Sequence, residues 1–151
     1  MKKILTLSLF SLFVIYGFAQ DEVTIPARTP VQTQMTQDIP KNWLSWKGEK
    51  LQAEVIGATI SFIIVEDVKL KNGTVVIAKN SPVKARITQI MNNRDLKLEV
   101  QSATAVDGTI VPLGDCWILI TKAQDKNSRA NVAGLRKNCE TKADVKVKVK
   151  Y

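Results

Sequence analysis

Glu66 and Asp67 are the one adjacent carboxylate pair in the strand-rich part of this chain, and carboxylate acid–base work is the catalysis that its composition leaves most open. The chain contains no histidine. That excludes Ser-His-Asp and Cys-His nucleophile pairs, His-rich zinc hydrolase sites and histidine general-base catalysis. Neighbouring residues on a strand point to opposite faces, whereas a glycosidase dyad holds its carboxyls about 5–9.5 Å apart across one cleft. Glu66-Asp67 therefore reads as a strand-end feature. Serines and lysines leave a serine–lysine mechanism open, but no spacing selects a pair. Two cysteines cannot supply the usual four ligands of a structural zinc, and no run of alternating Asp and Asn resembles a calcium loop. Gly-x-Ser-x-Gly, Walker and Gly-x-Gly-x-x-Gly motifs are absent, so no nucleotide site is indicated. Asp107-Gly108-Thr109 has the flanks of a hairpin turn rather than of an aspartic-protease triplet. No enzyme activity and no cofactor are expected.

The cysteines carry a different chemistry. Lys2 and Lys3 precede an apolar run from Ile4 to Phe18, and Gly17-Phe18-Ala19 places small residues where a signal peptidase reads them. Cleavage after Ala19 leaves an exported domain of residues 20–151, expected in the periplasm or outside the cell. The run is shorter than the roughly 20 residues that span a bilayer, and no second long apolar segment follows it. No transmembrane segment is expected after cleavage. In an oxidising compartment Cys116 and Cys139 form a disulfide by default. Their separation is unlike Cys-x-x-Cys, which argues against a redox-active pair.

Recognition has two candidate surfaces. Trp43 and Trp46 flank Leu44-Ser45 between Pro40 and Gly48, where they either stack on a partner or cover one open barrel end. Without Lys2 and Lys3, 20 basic residues stand against 14 acidic ones and the net charge is +6. An acidic surface is thus a candidate partner, with Lys146, Lys148 and Lys150 as the contact. The alternative for those lysines is an edge strand protected against edge-to-edge pairing. Nothing indicates nucleic acid. Trp117, inside Cys116-Trp117-Ile118-Leu119-Ile120, is expected in the core.

The elements that must position these residues are β throughout. Val83 to Thr88, Leu96 to Gln101 and Val145 to Tyr151 alternate with period two, as strands with one buried face do. Ile60 to Val65 and Trp117 to Ile120 are continuous apolar runs, the pattern of central strands. Asn72-Gly73 and Asp107-Gly108 predict hairpins with type I′ turns. Thr121 to Arg129 reads as an exposed loop, and Ala130 to Lys137 as one or two helical turns before Cys139. A disulfide there would tie off the loop and anchor the C-terminal strand to the Trp117 strand.

One segment recurs. Ile25-Pro26-Ala27-Arg28-Thr29-Pro30-Val31 to Gln37 matches Ile77-Ala78-Lys79-Asn80-Ser81-Pro82-Val83 to Gln89. Each copy is a tight turn, then a strand begun by proline where no ladder N–H is required. Such a repeat predicts a pseudo-two-fold relation within a single-domain β-barrel or sandwich of seven to nine short strands. The two Pro-Val strands, the Lys71-Asn72-Gly73-Thr74 hairpin and Ala105 to Leu113 together resemble a β-domain of uncharacterised exported bacterial proteins. The span Val23 to Leu113 is also similar, more distantly, to the periplasmic β-barrel region of TrbI-type conjugal-transfer channel proteins. Where that pattern has glycine in each turn, this chain has Arg28 and Asn80. The resemblance implies a fold and no catalytic residues. The functional expectation is a non-enzymatic envelope module that contacts protein or glycan. The alternatives are an enzyme inhibitor presenting the Thr121–Lys137 loop, a small envelope enzyme, or a small outer-membrane barrel.

Overall fold

Alternating inward and outward side chains close this chain into a barrel. The computed structural model describes residues 20–39, 53–91, 95–120 and 133–150. Residues 1–19, read from the sequence as an export signal, Trp43 and Trp46, and the stretch Thr121 to Arg129 lie outside the described residues. Strands are β1 (Gln20–Ile25), β2 (Pro30–Met35), β3 (Thr59–Ile64), β4 (Val68–Lys69), β5 (Val75–Ile77), β6 (Pro82–Ile90), β7 (Leu96–Thr104), β8 (Ile110–Gly114), β9 (Trp117–Ile120), β10 (Arg136–Thr141) and β11 (Val145–Lys150). Six of them form an antiparallel ring in the order β6-β3-β2-β10-β8-β7, closed by the β6–β7 pairing, and β9 is an added strand on β7. The domain is all-β, and it is a barrel rather than a sandwich. It holds more strands than the seven to nine expected, because two of the barrel pairs run on into ribbons.

Each barrel strand contributes its apolar face to the interior. Val31, Thr33 and Met35 of β2 are buried while Gln32 and Gln34 are not, and β6 buries Val83, Ala85 and Ile87. One row of directly paired inward residues runs Met35–Phe62–Val83–Ala103–Val111 across β2, β3, β6, β7 and β8. Residues facing one another across antiparallel strands share a face, so this row packs side by side. Burying each of the large members stabilises the fold by about 1.5–3 kcal/mol. Thr33 is fully buried, and its Oγ1 donates to the Lys137 carbonyl at 3.0 Å, which satisfies the one polar atom it brings inside.

A single turn geometry starts most of the strands. Arg28, Gly57, Gly73, Asn80, Gly108, Asp115 and Gly134 have positive φ among the described residues, and each lies two positions before a strand. Arg28 (φ 61°) and Asn80 (φ 66°) occupy the places where the resembled pattern has glycine. A left-handed conformation costs an L residue about 1–2 kcal/mol, so hydrogen bonds must hold them. They do so identically. Arg28 N–H donates to Thr141 O (2.8 Å) and Thr141 N–H to Thr29 O (3.0 Å). Asn80 N–H donates to Ile64 O (2.9 Å) and Ile64 N–H to Ser81 O (3.0 Å).

The repeat seen in the sequence therefore occupies matching places in the fold. β2 pairs with β10, and both continue past the turn as the ribbon β1–β11. β6 pairs with β3, and both continue as β5–β4. Register agrees as well, with Cys139↔Val31 and Val145↔Ile25 in one unit and Phe62↔Val83 and Val68↔Ile77 in the other. The hairpin β7–β8 fills the remaining third of the ring with the same device. Gly108 N–H donates to Ala105 O and Ala105 N–H to Thr109 O, both at 2.9 Å, and Ala103 pairs with Val111. Arg28-Thr29-Pro30-Val31, Asn80-Ser81-Pro82-Val83 and Gly108-Thr109-Ile110-Val111 are three versions of one strand start.

Asp67 is explained by the same correspondence. Its Oδ1 accepts from Lys79 N–H at 2.7 Å, and Asp144 Oδ1 accepts from Ala27 N–H at 2.7 Å. Each carboxylate pins the bend between barrel and ribbon, so Glu66-Asp67 marks a strand end, in agreement with the sequence. Both sites are exposed, so water replaces part of a lost bond. We expect Asp67→Ala and Asp144→Ala to cost about 1 kcal/mol each and to add in the double variant, being on separate bends. Urea denaturation measures this; a silent change at one site beside a costly one at the other would break the equivalence.

Four expectations are corrected. Asn72 and Asp107 do not take positive φ; only Gly73 and Gly108 do. The hairpins are therefore three-residue loops ending in a glycine bulge rather than type I′ turns, with the Asn72 and Asp107 side chains accepting from Thr74 and Thr109 N–H. Ala133-Gly134 is a turn and β10 starts at Arg136, not a helical segment. β9 is an edge strand that buries only Ile118 and Ile120, and Trp117 points outward with 47% of its surface exposed. Finally, the cysteines join β10, not the last strand, to the start of β9.

Candidate functional site

The break between β8 and β9 creates the most differentiated surface among the described residues. β7 carries β9 on Leu96 to Glu99 and β8 on Ser102 to Thr104, along the same edge. Between them the chain turns at Gly114-Asp115-Cys116, where Asp115 has φ 29° and the Cys116 carbonyl accepts from Val100 N–H at 2.8 Å. The Cys116–Cys139 bridge, Cα–Cα 5.4 Å, fastens this turn to β10. Both sulfurs belong to buried residues, so the bridge supports the surface from beneath.

Two adjoining grooves lie over the turn. One, of about 320 Å³, is lined by Trp117, Lys97, Glu99, Gln101, Asp115 and Lys142 among others. The other, of about 570 Å³, runs past Asp115, Asn138, Glu140, Lys142 and Arg28. Lys97 Nζ sits 5.4 Å from the Trp117 ring centroid and 3.9 Å from Glu99 Oε1. The ammonium over the indole face is attracted by its quadrupole. The Lys97–Glu99 pair is partly exposed and adds little stability itself. What the arrangement provides is one flat aromatic surface with hydrogen-bond donors and acceptors on both sides.

The chain matches no family model, no curated protein and no solved structure. The resemblance to the TrbI-type barrel region accordingly rests on its turn and strand motifs alone.

The residues picked out in the sequence are dispersed. Trp43 and Trp46 lie outside the described residues. Lys146, Lys148 and Lys150 project from β11, exposed, while Val147 and Val149 are buried. Lys146 Nζ is 3.4 Å from Glu22 Oε1, and Glu22 itself pairs with Lys148, so part of that positive field is neutralised across the ribbon. The disulfide is the one expected pair brought together. Trp117 is hidden in the sequence because a five-residue apolar run carries no alternation to reveal an outer face. The signal that exposes it is Gly114-Asp115, a bend placed immediately before it.

Asp107 illustrates how the carboxylates are used. Slight burial would raise its pKa, but amide donors from Lys148 (2.7 Å) and Thr109 (2.9 Å) outweigh this and hold the carboxyl below its usual value. The Lys148 bond ties the β7–β8 turn to the outer edge of β11. A depressed native pKa stabilises the fold above the unfolded value of about 3.9, and that contribution is lost as pH falls through the native value. Asp107→Asn should therefore remove part of the loss in urea midpoint below about pH 4, while an unchanged acid limb would show that Asp107 contributes nothing to it.

Proposed function

We propose that this is a non-enzymatic exported domain, a binding or structural module of the bacterial envelope that contacts protein or glycan through the face around Trp117. The observation that carries it is an indole 47% exposed beside a polar groove, on a turn braced by a disulfide. Leaving a large aromatic in water forgoes burial energy, and here the surrounding backbone is cross-linked rather than left loose. The uses found for the carboxylates support a binding role over catalysis: Asp67, Asp107 and Asp144 accept from backbone amides. The disulfide is compatible with an oxidising destination. Among the described residues no helix is long and apolar enough to cross a membrane. The barrel's apolar residues face inward and Gln32, Gln34 and Lys84 outward. A membrane barrel instead needs an apolar outer band, so the polar exterior favours an aqueous setting.

The test is site-specific photo-crosslinking in the native envelope. A photoreactive phenylalanine derivative at position 117, which keeps an aromatic ring there, should form an adduct with an envelope protein or glycan, and one at exposed Lys146 should not. Absence of any adduct at 117, in cells that express and fold the variant, would sink the proposal.

A further inference from the structure

We infer that the ligand of the Trp117 face is a short, uncharged saccharide. The inference rests on the proposed function and narrows it to one chemical class. Three features select that class. The first is the charge of the grooves. Arg28, Lys97 and Lys142 are balanced by Glu99, Asp115 and Glu140, so the site presents no net field to attract a polyanion. The same six groups supply donors and acceptors at once, which suits hydroxyls, because each hydroxyl both donates and accepts.

The second feature is the single flat aromatic. The C–H face of a pyranose ring is apolar and matches an indole in width, so stacking on the indole face that Lys97 does not cover sheds water from both while the ring's hydroxyls reach Glu99, Gln101 and Asp115. A protein partner would require more. A specific interface buries about 800 Å² per partner around an apolar centre, and here the groove adds to Trp117 only Pro112 as a further exposed apolar residue, among charged and polar ones. The third feature is rigidity and size. Trp117 begins a strand, Asp115 is fixed in a left-handed turn, and Cys116 is bonded to Cys139. A site held in place before binding loses little entropy when occupied. The groove beside Trp117, about 320 Å³, falls at the lower end of the range for small-ligand sites of roughly 300–1,000 Å³. The adjoining groove toward Arg28 extends it for further rings.

The test is isothermal titration of the exported protein with uncharged trisaccharides and pentasaccharides of the gluco-, manno- and N-acetylglucosamine series, with heparin as the anionic probe. At least one uncharged series should bind with a dissociation constant in the micromolar to millimolar range, unchanged by added salt because no ion pair forms. Trp117→Ala should weaken binding at least tenfold, and Trp117→Phe should retain most of it. Trp117 is exposed, so circular dichroism should report an unaltered fold for both. No binding by any uncharged series, equal binding by Trp117→Ala, or salt-sensitive binding of heparin alone would each overturn the inference. A protein adduct at position 117 together with a blank titration would overturn the saccharide assignment and leave the proposed function standing. A blank in both experiments would remove the two together.

Discussion

Replacing both cysteines, as Cys116→Ala with Cys139→Ala, is expected to lower the stability of the domain by about 3 kcal/mol. The cross-link closes a loop across a sequence separation of 23, and most of the expected effect comes from restricting the unfolded chain. In a domain of this size that loss should lower the melting temperature by roughly 10 °C. Wild-type protein treated with a strong reductant should melt somewhat above the double variant, which lacks two buried sulfur atoms as well as the bond. The single variants should fall between the two, because each loses the bond and one buried sulfur. Thermal denaturation followed by circular dichroism decides the matter. Identical melting of wild type and double variant in the absence of reductant would mean that the bond constrains neither state. The fold itself should persist, since β10 is also held by its ladders to β2 and β8. The Trp117 face should loosen, because Cys116, the residue before Trp117, loses its covalent tie to β10. Saccharide binding should therefore fall more steeply than stability on reduction.

The parts of this barrel that are legible in the sequence are those where local chemistry and final place agree. Arg28-Thr29-Pro30-Val31 and Asn80-Ser81-Pro82-Val83 match one another on inspection because proline punctuates both. The third version, Gly108-Thr109-Ile110-Val111, has isoleucine where the others have Pro30 and Pro82, so it reads only as a hairpin. β10 is obscured for a related reason. Its inward residues are Cys139 and Thr141, neither of them a strong apolar signal, and the rest of Arg136-Lys137-Asn138-Cys139-Glu140-Thr141 is polar. Pairing with β2 and β8, rather than local pattern, makes it a strand. The outward turn of Trp117 depends on which face β9 lays against the barrel, which the apolar run itself does not reveal and only the preceding Gly114-Asp115 bend hints at. For the candidate site, composition limits the chemistry and leaves the location open. A chain without histidine has no imidazole base or ligand wherever its strands run, but which indole faces water is decided by how its strand lies on the barrel.

The three-part ring leads to the other large effect. Cys139, Phe62 and Ala103 occupy equivalent positions, each opposite a valine: Val31, Val83 and Val111. The ring thus fills one recurring place in three ways, with a cross-linked sulfur, a large aromatic and a methyl group. Phe62 and Ala103 both flank Val83 in the same row, so a large side chain on one side is matched by a small one on the other. Phe62, 2% exposed, is the largest fully buried side chain among the described residues, and Phe62→Ala should cost about 3–5 kcal/mol through lost burial and the cavity left behind. Ala103→Leu in the intact barrel should cost about 1–3 kcal/mol, because the row has no spare volume. The two changes are expected to offset one another: the double variant should be more stable than the sum of the single losses predicts by at least about 1 kcal/mol. Urea unfolding of the four proteins gives the coupling directly. Strict additivity would show that Phe62 and Ala103 do not share one packed row, and would remove the physical basis for treating the three strand pairs as variants of a single unit.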